Sequence, residues 1–132
     1  MAECARRLKN WAKVLNIWTI ALSQLSRNND NPEPNKDRLR SSDQINEAAD
    51  NTILIYRPEV YGKYYKETFQ NVPTKNTAQI EVAKGRNIGL TKFIVTFIPE
   101  ITLFKDYDED YQHANYQLEE ETHSPESLSI RS

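Results

Sequence analysis

Apolar residues at Leu8, Trp11, Ala12 and Leu15 recur at the three- and four-residue spacing of one helical face, with Arg6, Lys9 and Lys13 elsewhere on the surface. This pattern predicts a helix over residues 3–15 lying on a sheet. After Asn16 residues 17–22 are apolar except for Thr19, as in a strand covered on both faces of a parallel sheet. A helix running straight into such a strand reads as part of a βαβ series. Residues 28–36 (NNDNPEPNK) are rich in Asn and Pro and predict a mobile loop. Residues 41–49 (SSDQINEAA) predict a short helix with Ser41 or Ser42 as its cap, leading into a second doubly buried strand at 52–56 (TILIY). The longer excursion 57–76, with Tyr61, Tyr64, Tyr65 and two prolines, receives no assignment.

From residue 77 the pattern becomes a strict alternation. Thr77, Gln79 and Glu81 fall on one face and Ala78, Ile80 and Val82 on the other, which predicts a half-buried strand. Phe93, Val95 and Phe97 then alternate with Ile94, Thr96 and Ile98, so the two runs form an antiparallel hairpin about a turn near Gly89. A short last strand is expected at 101–104, and a disordered tail follows Tyr107. The expected class is α/β, with a mostly parallel sheet and a C-terminal antiparallel hairpin. One domain spans 1–105, and 106–132 is a disordered acidic tail.

Charge sharpens this division. Residues 1–104 carry 15 Lys and Arg against 11 Asp and Glu, and residues 105–132 carry 2 against 8, so a body of +4 precedes a tail of −6 within a net charge of −2. Such a body suits a polyanionic partner, with the tail kept clear of it. Cys4 is the only cysteine, which rules out an intrachain disulfide and a cysteine-rich zinc site and suits a reducing cytoplasm. The apolar run 17–22 is far shorter than the roughly 20 residues of a membrane helix. His113 and His123 lack partners at metal-ligand spacing, so no metal site is expected. Tyr61, Tyr64 and Tyr65, interleaved with Lys63 and Lys66, have the types that stack on bases, but packing within a long loop is the expected role.

The chemistry concentrates at the end of the alternating strand, where Lys84 and Arg86 flank Gly85 in the sequence AKGRN. Taken alone, two such cations are solvated surface groups. Their company changes that reading. The runs WAKVLNIWTIALSQLSR and INEAADNTILIYRPE and the later AKGRN, in this order over roughly residues 5–105, resemble the C-terminal motor domain of DnaB-type replicative DNA helicases. The resemblance implies a RecA-like α/β core that assembles as a hexamer, hydrolyses ATP with Mg2+ between neighbouring subunits and translocates on single-stranded DNA. It implies that Gln24 senses the γ-phosphate in its own subunit, with an amide able both to donate and to accept. Arg40, Ser41, Ser42 and Asp43 match the loop that grips the DNA backbone. Lys84 and Arg86 match the cation pair that reaches into the neighbouring subunit's nucleotide site. Fingers of this kind supply on the order of 10³ to 10⁵ in rate. Two positions depart from the family: Asp43 stands where it usually has glycine, and Ile88 stands where glycine usually follows Arg-Asn, with Gly89 one place later.

A P-loop needs glycines at fixed spacing before Lys and Ser or Thr, so that backbone amides wrap the phosphates. The chain has only Gly62, Gly85 and Gly89, and Gly62-Lys63 is followed by Tyr64. These 132 residues therefore hold no such loop. The expectation is a C-terminal part of the motor, inactive alone, whose partners are single-stranded DNA, neighbouring helicase subunits and a P-loop-bearing N-terminal half. The alternative is a non-catalytic remnant that binds single-stranded DNA or a partner through residues 36–43, with steep salt dependence.

Overall fold

The computed structural model describes residues 2–24, 32–34 and 43–110. Helix α1 spans Ala2–Leu15. Its end is built by Asn16, which takes the left-handed conformation (φ 53°), and by the Ile17 N–H, which donates to the Ala12 carbonyl at 3.0 Å. This six-to-one bond after a left-handed residue satisfies one of the carbonyls a helix leaves orphaned. Helix α2 covers Asp43–Ala48 and packs on α1. Strands β1 (Asn51–Tyr56), β2 (Thr77–Gly85), β3 (Thr91–Ile98) and β4 (Leu103–Asp106) form one sheet in the order β1-β2-β3-β4.

Every neighbouring pair in this sheet is antiparallel. The expected hairpin is present as β2 and β3, with Thr77 opposite Thr96 and Val82 opposite Thr91. The mostly parallel sheet is not found among the described residues. Residues 17–24 follow α1 without forming a strand, and Ile17, Trp18, Ile20 and Leu22 are exposed, Trp18 at 95%. An apolar run becomes a strand only where a neighbour takes its N–H and C=O groups, and no described strand lies beside this one. Strand β1 pairs with β2 but is covered on one face only: Leu54 and Tyr56 are buried, while Ile53 and Ile55 stand 59% and 57% exposed. Helix α1 likewise finds α2 rather than the sheet as its main support, and Trp11 and Leu15 remain exposed.

Part of the segment expected to be a mobile loop is packed. Pro32 and Pro34 are buried, and Glu33 pairs with Lys66 at 3.1 Å. The expected caps Ser41 and Ser42, and residues 111–132 of the expected tail, lie outside the described residues, whereas Asp106, assigned to that tail, closes β4. Among the described residues no helix is long and apolar enough to cross a membrane.

The unassigned excursion 57–76 contributes two single 3₁₀ turns, Pro58–Tyr61 and Glu67–Phe69, and the side chain that closes the core. Tyr65 is 4% exposed and meets the buried Thr77 hydroxyl at 2.9 Å. Thr77 Oγ1 also lies 2.7 Å and 3.0 Å from the Pro73 and Thr74 carbonyls. A hydroxyl has one proton, which it gives to a carbonyl, so it accepts from the Tyr65 phenol. The polar face of β2, expected to be open, is thereby covered at its start. Tyr61 stacks on Tyr56 at 6.4 Å, and Tyr64 remains exposed.

Burial pushes the Tyr65 phenol up to about 12 from its ordinary 10.0. Because the folded chain holds this proton more tightly than the unfolded one, the associated stability is present below about pH 10 and is lost as the pH rises through about 12. The expected loss, on the order of 2 kcal/mol, is measured by urea midpoints at rising alkaline pH. Tyr65→Phe should flatten this part of the curve, and an unchanged slope would remove Tyr65 as its source.

Candidate functional site

Lys84 and Arg86 occupy the end of β2, and a bulge aims them. The register pairs Thr52 with Lys84 but Ile53 with Val82, leaving Ala83 as an extra residue. Such an insertion bends the strand and re-aims the residues beyond it. Lys84 Nζ turns onto the C-terminal end of α2, donating to the Asn46 carbonyl and, at 3.3 Å, to the Glu47 carbonyl. The last turn of α2 has no basic residue of its own. Lys84 supplies the positive charge that those carbonyls favour. Beside it, Thr52 Oγ1 donates to Asn46 Oδ1 at 2.7 Å.

Arg86 is 54% exposed and is tied to Asp50 twice. Its backbone N–H donates to the Asp50 carbonyl at 3.1 Å, extending the ladder one step beyond the Asn51 and Gly85 pair. Its Nη1 lies 3.3 Å from Asp50 Oδ1, while Lys9 of α1 takes Oδ2. The hydrogen bond from Lys9, with the charges of Lys9, Arg86 and Lys13, holds the Asp50 carboxyl below the usual carboxylate range against a smaller opposing effect of desolvation. Gly85 permits the close approach of Ile88 to the end of β2. A Cβ there would stand 2.5 Å from Ile88 Cγ1 and 2.6 Å from the Ile88 carbonyl oxygen. Ile88, the departure from the family pattern, thus folds back over Gly85.

Of the other sequence-predicted residues, Gln24 lies exposed at the end of segment 17–24, and among the described residues no hydrogen bond or ion pair joins it to Lys84 or Arg86. Arg40, Ser41 and Ser42 fall outside the described residues, and Asp43 is the first residue of α2. Lys9, Asn46, Asp50 and Thr52 carry no signal in the sequence, because only the packing of both helices against the end of the β1 and β2 pair brings them to the tip. The chain alone does not fit a nucleoside triphosphate and its Mg2+. It holds no P-loop, and among the described residues no three His, Cys, Asp or Glu side chains group as metal ligands.

A small antiparallel sheet behind a helix and an apolar segment has counterparts among solved structures. The fold matches a solved ATPase domain with a TM-score of 0.66 and 30% identity, over 81% of this chain and 36% of that one. It matches a DnaB-like replicative helicase, solved in a study of its interactions with primase, with the same TM-score and identity, over 81% of this chain and 25% of that one. The family model for the DnaB-like helicase C terminal domain matches residues 1–106, and the chain belongs to that family. It is similar to the replicative DNA helicase DnaB of Pasteurella multocida (strain Pm70), 34% identical over 120 residues, which are 84% of this chain and 24% of that protein. It is also similar to a probable replicative DNA helicase of Trieres chinensis, 34% identical over 110 residues, 81% of this chain and 23% of that protein. The chain therefore spans about a quarter of the length of these curated relatives.

Proposed function

We propose that the chain forms the C-terminal part of the motor of a hexameric, ATP-dependent replicative DNA helicase, acting in the cytoplasm with a P-loop-bearing segment or chain. In this reading Arg86 projects into a neighbouring subunit's nucleotide site and stabilises the negative charge that spreads over the transferred phosphoryl group. Lys84 adds a second cation through the ammonium donor that α2 does not use. The P-loop-bearing part brings the triphosphate and Mg2+. Gln24 senses the terminal phosphate, and Arg40 to Asp43 hold the single strand through phosphate contacts.

The observation that carries this reading is the tip of β2, which offers a half-exposed guanidinium held to Asp50 through its backbone N–H and its Nη1. A second arrangement supports the dependence of hydrolysis on DNA. Helix α2 begins at Asp43, the last residue of the candidate DNA loop, and ends at the carbonyls gripped by Lys84. A shift of the loop on binding DNA would therefore be felt at the tip within six residues.

The test is phosphate release on mixing the full chain with a polypeptide carrying the family's P-loop half. The expected result is DNA-stimulated hydrolysis in the mixture and none from either component alone. A mixture that binds single-stranded DNA but never hydrolyses nucleotide would replace this reading with that of a DNA-binding remnant.

A further inference from the structure

We infer that Asp50 is the positioning residue for Arg86: with Lys9 on its far side, it fixes the guanidinium at the end of β2 in the orientation from which Arg86 acts. The inference rests on the function proposed above and adds a residue and a physical cause to it. An arginine side chain loses much rotamer freedom when it is held in one geometry. A finger that must be immobilised only as the phosphoryl bond breaks is a poor stabiliser, whereas one already fixed needs no reorganisation at that moment.

Three features make Asp50 the fixing group. It holds Arg86 by main chain and side chain together, at 3.1 Å and 3.3 Å, so the base and the head of the side chain are both tied to one residue. Its two carboxylate oxygens are divided, Oδ1 to Arg86 and Oδ2 to Lys9, whose side chain is largely covered. Lys9 thus stops the carboxylate from following the arginine as it moves, and ties the tip to α1. The carboxyl is also held in its charged form by these neighbours. A guanidinium has five N–H donors, so the contact with Asp50 Oδ1 leaves others for an anion outside the chain. The exposed pair adds little to stability; its effect is orientation.

The test uses the full chain assembled with the P-loop-bearing polypeptide and measures kcat and KM separately. Asp50→Asn keeps the shape and the backbone bond and removes the charge. It should lower kcat on the order of 10- to 100-fold with little change in KM, Asp50→Glu should recover part of the loss, and Asp50→Asn should add nothing once Arg86 is alanine. Unchanged kcat, or an equal loss in the Arg86→Ala background, would overturn the inference. Should Asp50→Asn fail to fold, as judged by circular dichroism, Lys9→Ala removes the other side of the clamp and should lower kcat in the same direction; no change would overturn the inference. If Arg86→Ala itself leaves hydrolysis unaltered, the functional reading fails instead. Positioning is then decided by the Arg86 Nε–H resonance of the labelled chain, which should move and exchange faster in Asp50→Asn. An unaltered resonance would overturn the positioning role independently of activity.

Discussion

Arg86→Ala is expected to lower nucleotide hydrolysis by the assembled motor at least about 10³-fold, the lower end of what a charge-stabilising arginine supplies in other nucleotide hydrolases. The loss should fall on kcat, because the guanidinium is asked to meet charge that develops only as the phosphoryl group transfers, not charge present when nucleotide binds. Folding should be unaffected. Arg86 and Asp50 are both about half exposed, and the backbone bond from residue 86 to the Asp50 carbonyl survives in alanine. Arg86→Lys keeps a positive charge but replaces a planar fork by a point donor, so it should recover only a minor part of the rate. Lys84→Ala is the informative contrast. That substitution also uncaps α2, leaving the Asn46 and Glu47 carbonyls without their donor, and should disturb the helix as well as the rate. Phosphate release under saturating nucleotide and DNA measures all three. An Arg86→Ala motor within threefold of the unsubstituted rate would remove Arg86 from the chemistry.

How much of this site could be read in advance depended on whether the signal was local. The β2 and β3 hairpin was legible because alternation states both the strand and its buried face, and the Lys84-Gly85-Arg86 tip was legible because it closes that alternation. The end of α1 was likewise local, fixed by Asn16 and the apolar periodicity before it. The strand at 52–56 is present as β1, but its cover on both faces, and the strand expected at 17–22, are not, for one reason. Continuous apolar sequence reports a tendency to be covered, not what covers it, and Trp18, Ile53 and Ile55 remain exposed in this chain. The hold of Asp50 on Arg86 was invisible because it joins residues 36 apart in sequence through a register that includes the Ala83 bulge. Tyr65 was hidden inside a segment with no period at all, where a single side chain, rather than a pattern, reaches Thr77.

Phe97→Ala should produce the complementary defect, a large loss of stability with chemistry intact wherever the chain remains folded. Phe97 lies near the end of β3, 7% exposed, with its ring 4.6 Å from that of Phe104 on β4 and 4.1 Å beneath the guanidinium carbon of Arg57. Truncation removes the ring from three elements at once, and large-to-small changes of this kind cost roughly 3–5 kcal/mol. The damage extends to Arg57, whose Nε is buried without a hydrogen-bond partner among the described residues and whose Nη2 reaches Glu59 at 3.2 Å. Without the aromatic face beneath it, the guanidinium loses a cation–π contact and keeps only the Glu59 ion pair. Against a native margin of about 5–15 kcal/mol, and at about 4–8 °C per kcal/mol for a domain of this size, the midpoint of thermal unfolding should fall by more than about 10 °C. Far-UV circular dichroism is the suitable readout, since Trp18 is too exposed for its fluorescence to report on the core. Phe97→Leu, which keeps most of the apolar volume, should lose substantially less. Because β3 pairs with β2 along the length that supports the tip, the two substitutions separate the site's requirements: Phe97 keeps the sheet that carries the guanidinium, and Arg86 is the group that the sheet carries. A Phe97→Ala chain with unchanged unfolding would show that the sheet draws its stability from somewhere other than the aromatic contact between β3 and β4.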